Sequence, residues 1–95
     1  MRNYETLFVL DPTLEEEKFK ELVEKFKGVV EAFGGQIDNI DEWGRRKLAY
    51  RIKQHTEGYY VLMNFTGNPE AAQDLERVFK ITDGVIRYLI VRQDD

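Results

Sequence analysis

Between Trp43 and Ile52 the chain reads W-G-R-R-K-L-A-Y-R-I, and as far as Lys53 it carries five cations, Arg45, Arg46, Lys47, Arg51 and Lys53, with no acid among them. The whole 95-residue chain has a formal charge of -4, so this cluster runs against its surroundings. Guanidinium forks grip phosphate oxygens in pairs, and aromatic rings stack on unpaired bases. A basic run opened by a tryptophan therefore suggests contact with a polyanion. Other chemistries find no footing. The chain has no cysteine and a single histidine, His55, so thiol catalysis, disulfides and cysteine zinc sites are excluded and a histidine metal pair cannot form. His55 is expected to be simply solvated. With no nucleophile–base pair, no glycine-rich phosphate loop and no ligand cluster, we expect no catalytic residue, no metal or cofactor and no small-molecule substrate.

Six elements must position these side chains. Residues 3–10 (N-Y-E-T-L-F-V-L) are rich in aromatic and β-branched types and read as a strand ended by Asp11-Pro12. Thr13 with Glu16 spells a capping box, after which Phe19, Leu22, Val23, Phe26, Val29, Val30 and Phe33 recur at helical spacing until Gly34-Gly35. The opposite face, with Glu15, Lys18, Glu21, Lys25 and Glu31, reads as solvated. Residues 36–53 read as a long strand broken by a bulge, because Ile37 and Ile40 differ in parity and Gly44 interrupts before Leu48, Tyr50 and Ile52 alternate. That alternation predicts Tyr50 in the core, with Lys47, Ala49, Arg51 and Lys53 facing the other way. Gln54 to Gly58 is expected to form a hairpin loop, 59–66 a third strand, and Asn68-Pro69 to cap a second helix carrying Ala71, Ala72, Leu75, Val78 and Phe79. Asp83-Gly84 then turns into a last strand, Val85 to Arg92.

The order βαββαβ closes into an α+β, ferredoxin-like fold, a four-stranded antiparallel sheet with both helices on one face. One domain spanning 1–95 is expected, since a chain of this length buries enough surface for a two-layer core and no linker interrupts it. Both faces of the strands are apolar: Phe8 and Leu10 against Leu7 and Val9, Val61 and Met63 against Tyr60 and Leu62, Tyr88 and Ile90 against Leu89 and Val91. A sheet with one bare face should alternate more cleanly, so the open face is expected to be partly covered by another macromolecule. Residues 1–42 hold five basic and eleven acidic side chains, a net of -6, whereas 43–95 net +2. The sign change separates faces of one fold. The longest apolar run, Leu7 to Leu10, is too short to cross a bilayer, and the first residues lack a signal peptide's pattern, so no membrane partner and a cytoplasmic location are expected.

Met1-Arg2-x-Tyr4-Glu5, Asp11-Pro12, Trp43-Gly44-x-Arg46-x-Leu48-Ala49-Tyr50-x-Ile52, Gly58-Tyr59-Tyr60 and Arg87, in this order along essentially the whole chain, resemble the bacterial small-subunit ribosomal protein six family. The central segment is the most specific part. Lys47 stands where another polar residue is common, and the tail ends early at Asp94-Asp95. The resemblance implies the ferredoxin-like fold, no catalysis, and a place on the ribosome contacting the central domain of the small-subunit ribosomal RNA beside small-subunit ribosomal protein eighteen.

Arg2, Arg45, Arg46, Lys47 and Arg87 are the expected phosphate contacts, and Tyr4 and Trp43 the rings available for stacking, though either ring could equally serve packing. Four or five engaged phosphates would reduce affinity by roughly 10² to 10³ between 50 and 200 mM salt. Arg45 to Lys47 could instead guard an exposed strand edge against aggregation. An RNA-recognition-motif module binding single-stranded RNA shares the same element order. Its third-strand signature wants a basic residue, glycine and set aromatics, whereas Glu57-Gly58-Tyr59-Tyr60 puts Tyr60 where a small residue is expected. An acylphosphatase-like enzyme would need a phosphate cradle after the first strand, where Asp11-Pro12-Thr13 offers a negative charge and a missing amide.

Overall fold

A computed structural model of the chain describes residues 1–52 and 54–93; Lys53, Asp94 and Asp95, with the expectations placed on them, lie outside. The elements run β1 (Arg2–Leu10), α1 (Glu16–Ala32), β2 (Gln36–Ile52), β3 (His55–Gly67), α2 (Pro69–Ile81) and β4 (Val85–Arg92). The strands form one antiparallel sheet in the order β2-β3-β1-β4, with β1 and β3 inside and β2 and β4 at the edges.

Period-two patterning sorts the side chains of the inner strands. Tyr4, Phe8 and Leu10 of β1 and Val61, Met63 and Phe65 of β3 point to one side, where Phe19, Leu22, Val23, Phe26 and Val30 of α1 and Leu75, Val78 and Phe79 of α2 close over them. Phe8 lies at the centre, its ring 5.1 Å from Phe26 and 5.2 Å from Phe79. The helices end as their residues dictate. After Ala32 the amides of Gly34 and Gly35 donate to the carbonyls of Glu31 and Val30, and Gly34 takes the left-handed φ of 79° that such a stop requires.

The start of α1 departs from the sequence reading. The capping box does not form, because Asp11 lies two residues before Thr13 and its Oδ1 accepts both the Thr13 amide (2.9 Å) and hydroxyl (2.7 Å). The helix begins at Glu16 with no side-chain cap. Burial pushes the Asp11 carboxyl up, but those two hydrogen bonds and the charge of His55 outweigh it and hold the carboxyl below its ordinary value. Asn68 likewise sits at the N-cap of α2 without a side-chain bond, while Pro69 begins the helix where its missing amide is harmless.

The β2–β3 hairpin departs further. β3 starts at His55, not 59, and the turn is made at Gln54, whose φ is 71°. His55 is half-buried rather than fully solvated. Pairing jumps from Lys47 opposite Glu57 to Ile52 opposite His55, so residues 48–51 of β2 face Thr56 alone. Strict alternation is lost there. Leu48 and Ile52 stay half-buried, but Tyr50 is 60% exposed, which corrects its expected place in the core.

Candidate nucleic-acid interface

Two insertions in β2 decide which way its cations point. Asp38 is an extra residue between Ile37, opposite Phe65, and Asn39, opposite Asn64, and this lets both Ile37 and Ile40 pack against the core despite their parity. Trp43 is a second extra residue, between Glu42 opposite Val61 and Gly44 opposite Tyr60, with Gly44 at a φ of 85°. Beyond it Arg45 stands opposite Tyr59 on the helix side, and Arg46 opposite Gly58 on the open side.

Arg45 is thereby turned to the helix side, where it stays exposed. Its Nε and Nη2 donate to the Pro12 carbonyl at 3.4 and 3.1 Å, and its guanidinium lies 5.7 Å over the Phe19 ring. Phe19 stacks on Tyr59 at 3.9 Å, and the Tyr59 hydroxyl donates to Glu42 Oε1 at 2.7 Å. Burial, the hydrogen bond to Glu42 and the nearby carboxylates push the Tyr59 phenol from its ordinary 10.0 up to about 12, with Arg45 opposing. Lys47 follows Arg45 on the helix side, exposed and opposite Glu57.

Arg46 and Arg87 face the open side at one end of the sheet. The Arg46 guanidinium lies 4.9 Å over the Trp43 ring, which stacks against Tyr60 at 6.2 Å and donates its Nε1 hydrogen to Asp41. Arg87 and Tyr60 both stand opposite Val9 of β1, so they are two strand spacings apart, roughly 10 Å. Arg87 Nη1 donates to the Tyr50 hydroxyl at 2.8 Å, with its guanidinium 5.5 Å over the Tyr50 ring. Two arginine–aromatic pairs thus crown the same end of one face.

The other expected residues lie elsewhere. Tyr4 is only 7% exposed and stacks on Phe65 at 5.1 Å, so its ring belongs to the core and cannot receive a base. Arg2 lies on the helix side opposite Gly67, seven residues from Val9 along β1 and so about 23 Å from the Arg87 end. Tyr50 and Tyr60 were not among the expected site residues. Tyr60 could have been found from its parity, opposite to Tyr59; Tyr50 gave no such signal, because its parity matched that of Leu48 and Ile52.

Beside the arginine end, Leu62, Leu7 and Leu89 stand in one row across three strands of the open face, with Leu89 57% exposed and Val91 exposed next to it. Val9, on the same face, is only 2% exposed, since its side chain lies over Gly58 and the hairpin shoulder at Leu48. The hairpin shoulder therefore covers the face at Val9, while along the leucine row Leu7 and Leu62 are half-buried and Leu89 is exposed. Among the described residues no group of three or more histidine and carboxylate side chains could hold a metal ion, and no helix is long and apolar enough to cross a membrane.

A family model described as ribosomal protein S6 matches residues 3–92. The chain is 59% identical over its 95 residues to the small ribosomal subunit protein bS6 of Caldanaerobacter subterraneus subsp. tengcongensis, with both chains fully covered. It is 61% identical over 94 residues to the protein of the same name from Clostridium novyi, covering 99% of each. The crystal structure of 30S ribosomal protein S6 from Thermotoga maritima superposes with a TM-score of 0.91 at 35% identity, covering 97% of this chain and 87% of that one.

Proposed function

The chain belongs to the ribosomal protein S6 family, and from that membership we propose that its arginine-crowned sheet end contacts the central domain of the small-subunit ribosomal RNA while the adjoining leucine row seats small-subunit ribosomal protein eighteen. The coarser role follows from the family itself: a structural, non-enzymatic constituent of the small subunit, resident in the cytoplasm on the ribosome. The RNA-recognition-motif reading gives way to it.

The observation that carries the RNA contact is that Arg46 and Arg87, distant in sequence, come to the same end of the open face, each paired with an aromatic ring. Charge-assisted hydrogen bonds to phosphate are the strongest that such side chains make. Arg45 and Lys47 face the helix side, so the proposed contact narrows from the run Arg45 to Lys47 to Arg46 with Arg87. Trp43 shares its ring between Arg46 and Tyr60, which favours a role in orienting Arg46 over stacking on a base. For the partner, exposed Leu89 and Val91 continue into half-buried Leu7 and Leu62 across three strands, the kind of apolar patch that marks a protein interface.

The test is a central-domain RNA fragment titrated with this protein and its partner. Replacing both Arg46→Ala and Arg87→Ala should weaken binding by about tenfold or more, since one hydrogen bond to a charged group contributes roughly 1.5–3 kcal/mol and 1.4 kcal/mol is tenfold. Circular dichroism should be unchanged. Undiminished binding would move the contact elsewhere, with Arg77 and Lys80 of α2 the next cations to examine.

A further inference from the structure

We infer that Tyr50 is a positioning residue that holds the Arg87 guanidinium ready for a phosphodiester group, an inference that rests on the RNA contact proposed above. Tyr50 is 60% exposed on a hairpin shoulder, so its ring lies outside the core. The irregular pairing of the hairpin puts it there. Four residues of β2, 48–51, face one residue of β3, and the surplus lets the shoulder fold across the open face. Leu48 anchors that fold beside Gly58, where a β-carbon would sit 3.4 Å from Leu48 Cδ2 and 3.6 Å from Ile86 Cδ1. From this anchored shoulder Tyr50 reaches Arg87, 37 residues away in sequence and on the far edge strand.

The contact restrains Arg87. The hydroxyl accepts from Nη1 at 2.8 Å, and the guanidinium lies over the ring, 5.5 Å from its centroid. An arginine on an open strand otherwise keeps most of its rotamer freedom and loses it on binding; here much of that ordering precedes the ligand. The donors are not exhausted. Arginine has five N–H groups and Tyr50 takes one, which leaves four on Arg87 to donate. Arg87 can therefore present donors to the oxygens of one phosphodiester while Tyr50 holds it in place. The distinguishing prediction is coupling: Tyr50 acts only through Arg87.

The test uses reconstituted small-subunit particles lacking only this protein, and measures the affinity with which wild type, Tyr50→Phe, Arg87→Ala and the double variant are taken up. Phenylalanine keeps the ring under the guanidinium and removes the hydroxyl. Tyr50→Phe should weaken uptake by about tenfold or more, as expected for the loss of one hydrogen bond made to a charged group. In the Arg87→Ala background the same change should have no further effect. Additive losses, or a Tyr50→Phe variant equal to wild type while Arg87→Ala is impaired, would overturn the positioning role and leave the RNA contact standing. An Arg87→Ala variant equal to wild type would overturn both. Because Tyr50 is exposed, the substitution leaves the core untouched, and unchanged circular dichroism checks that each variant is folded.

Discussion

Tyr59 shows how one side chain can couple the fold to pH. Its ring stacks on Phe19 and its hydroxyl donates to Glu42, so partial burial and a neighbouring carboxylate both disfavour the phenolate and push its pKa to about 12. A phenol whose pKa rises on folding keeps its proton where the unfolded chain, at 10.0, has released its own. Its contribution to stability is therefore fully present below pH 10 and is lost as pH climbs toward 12. In urea unfolding across that window, Tyr59→Phe should lose stability less steeply than wild type; an equally steep decline in the variant would assign the loss to other groups. Arg45, which opposes the shift, belongs to the same cluster on the helix side of the sheet, away from the proposed RNA contact. At this scale the sequence was legible where a residue type has one dominant use and misleading where it has several. Thr13 and Glu16 had the spacing of a cap, yet Asp11 competed for the threonine hydroxyl at shorter range. Tyr4 and Trp43 were equally plausible as packing or stacking rings, and only the register separated them, sending one into the core beside Phe65 and the other to the sheet end.

At the scale of elements, β2 does most to make the site. Its first break was legible, since two isoleucines of opposite parity can both reach one core only if a residue is inserted between them. Its second break was legible in part, from Gly44. The inserted residue, however, is Trp43, and that single insertion exchanges the faces of Arg45 and Arg46. The third irregularity, between Lys47 and Ile52, left no mark in the pattern of apolar residues, which is why Tyr50 was misplaced. Gly44 holds the second break with a φ of 85° and has nothing within 4 Å of the position a β-carbon would take. The cost of Gly44→Ala is thus purely conformational, about 1–2 kcal/mol, and should lower the unfolding midpoint by about 4–8 °C per kcal/mol in a domain of this size. Gly44→Asn should be milder, because asparagine enters the left-handed region more readily. Calorimetry of the three proteins checks the order; an alanine variant as stable as wild type would mean that the position does not need its glycine.

Across the whole molecule, the formal charge of -4 and the narrowing of the arginine set point to a modest electrostatic contact. α1 lies on the far side of the sheet from Arg46 and Arg87, and its five acidic and four basic side chains nearly balance, so it does not forbid the contact. The βαββαβ order and the single open face were legible because each element keeps its own hydrophobic period. What the sequence could not divide was the cation cluster, which the fold distributes between two faces. That division changes the expected salt response. Five cations acting together would imply a loss of 10² to 10³ between 50 and 200 mM salt, whereas two phosphate contacts, each contributing about 0.7 to 0.9 to the logarithmic slope, imply only about tenfold. The partner protein brings contacts of its own, so the informative quantity is a difference. Measured as a joint complex on the same RNA, the variant carrying Arg46→Ala and Arg87→Ala should show a salt slope shallower than wild type by about 1.4 to 1.8. Identical slopes would mean that neither arginine displaces counterions from phosphate, and a reduction of about half that size would assign the contact to one of the two alone.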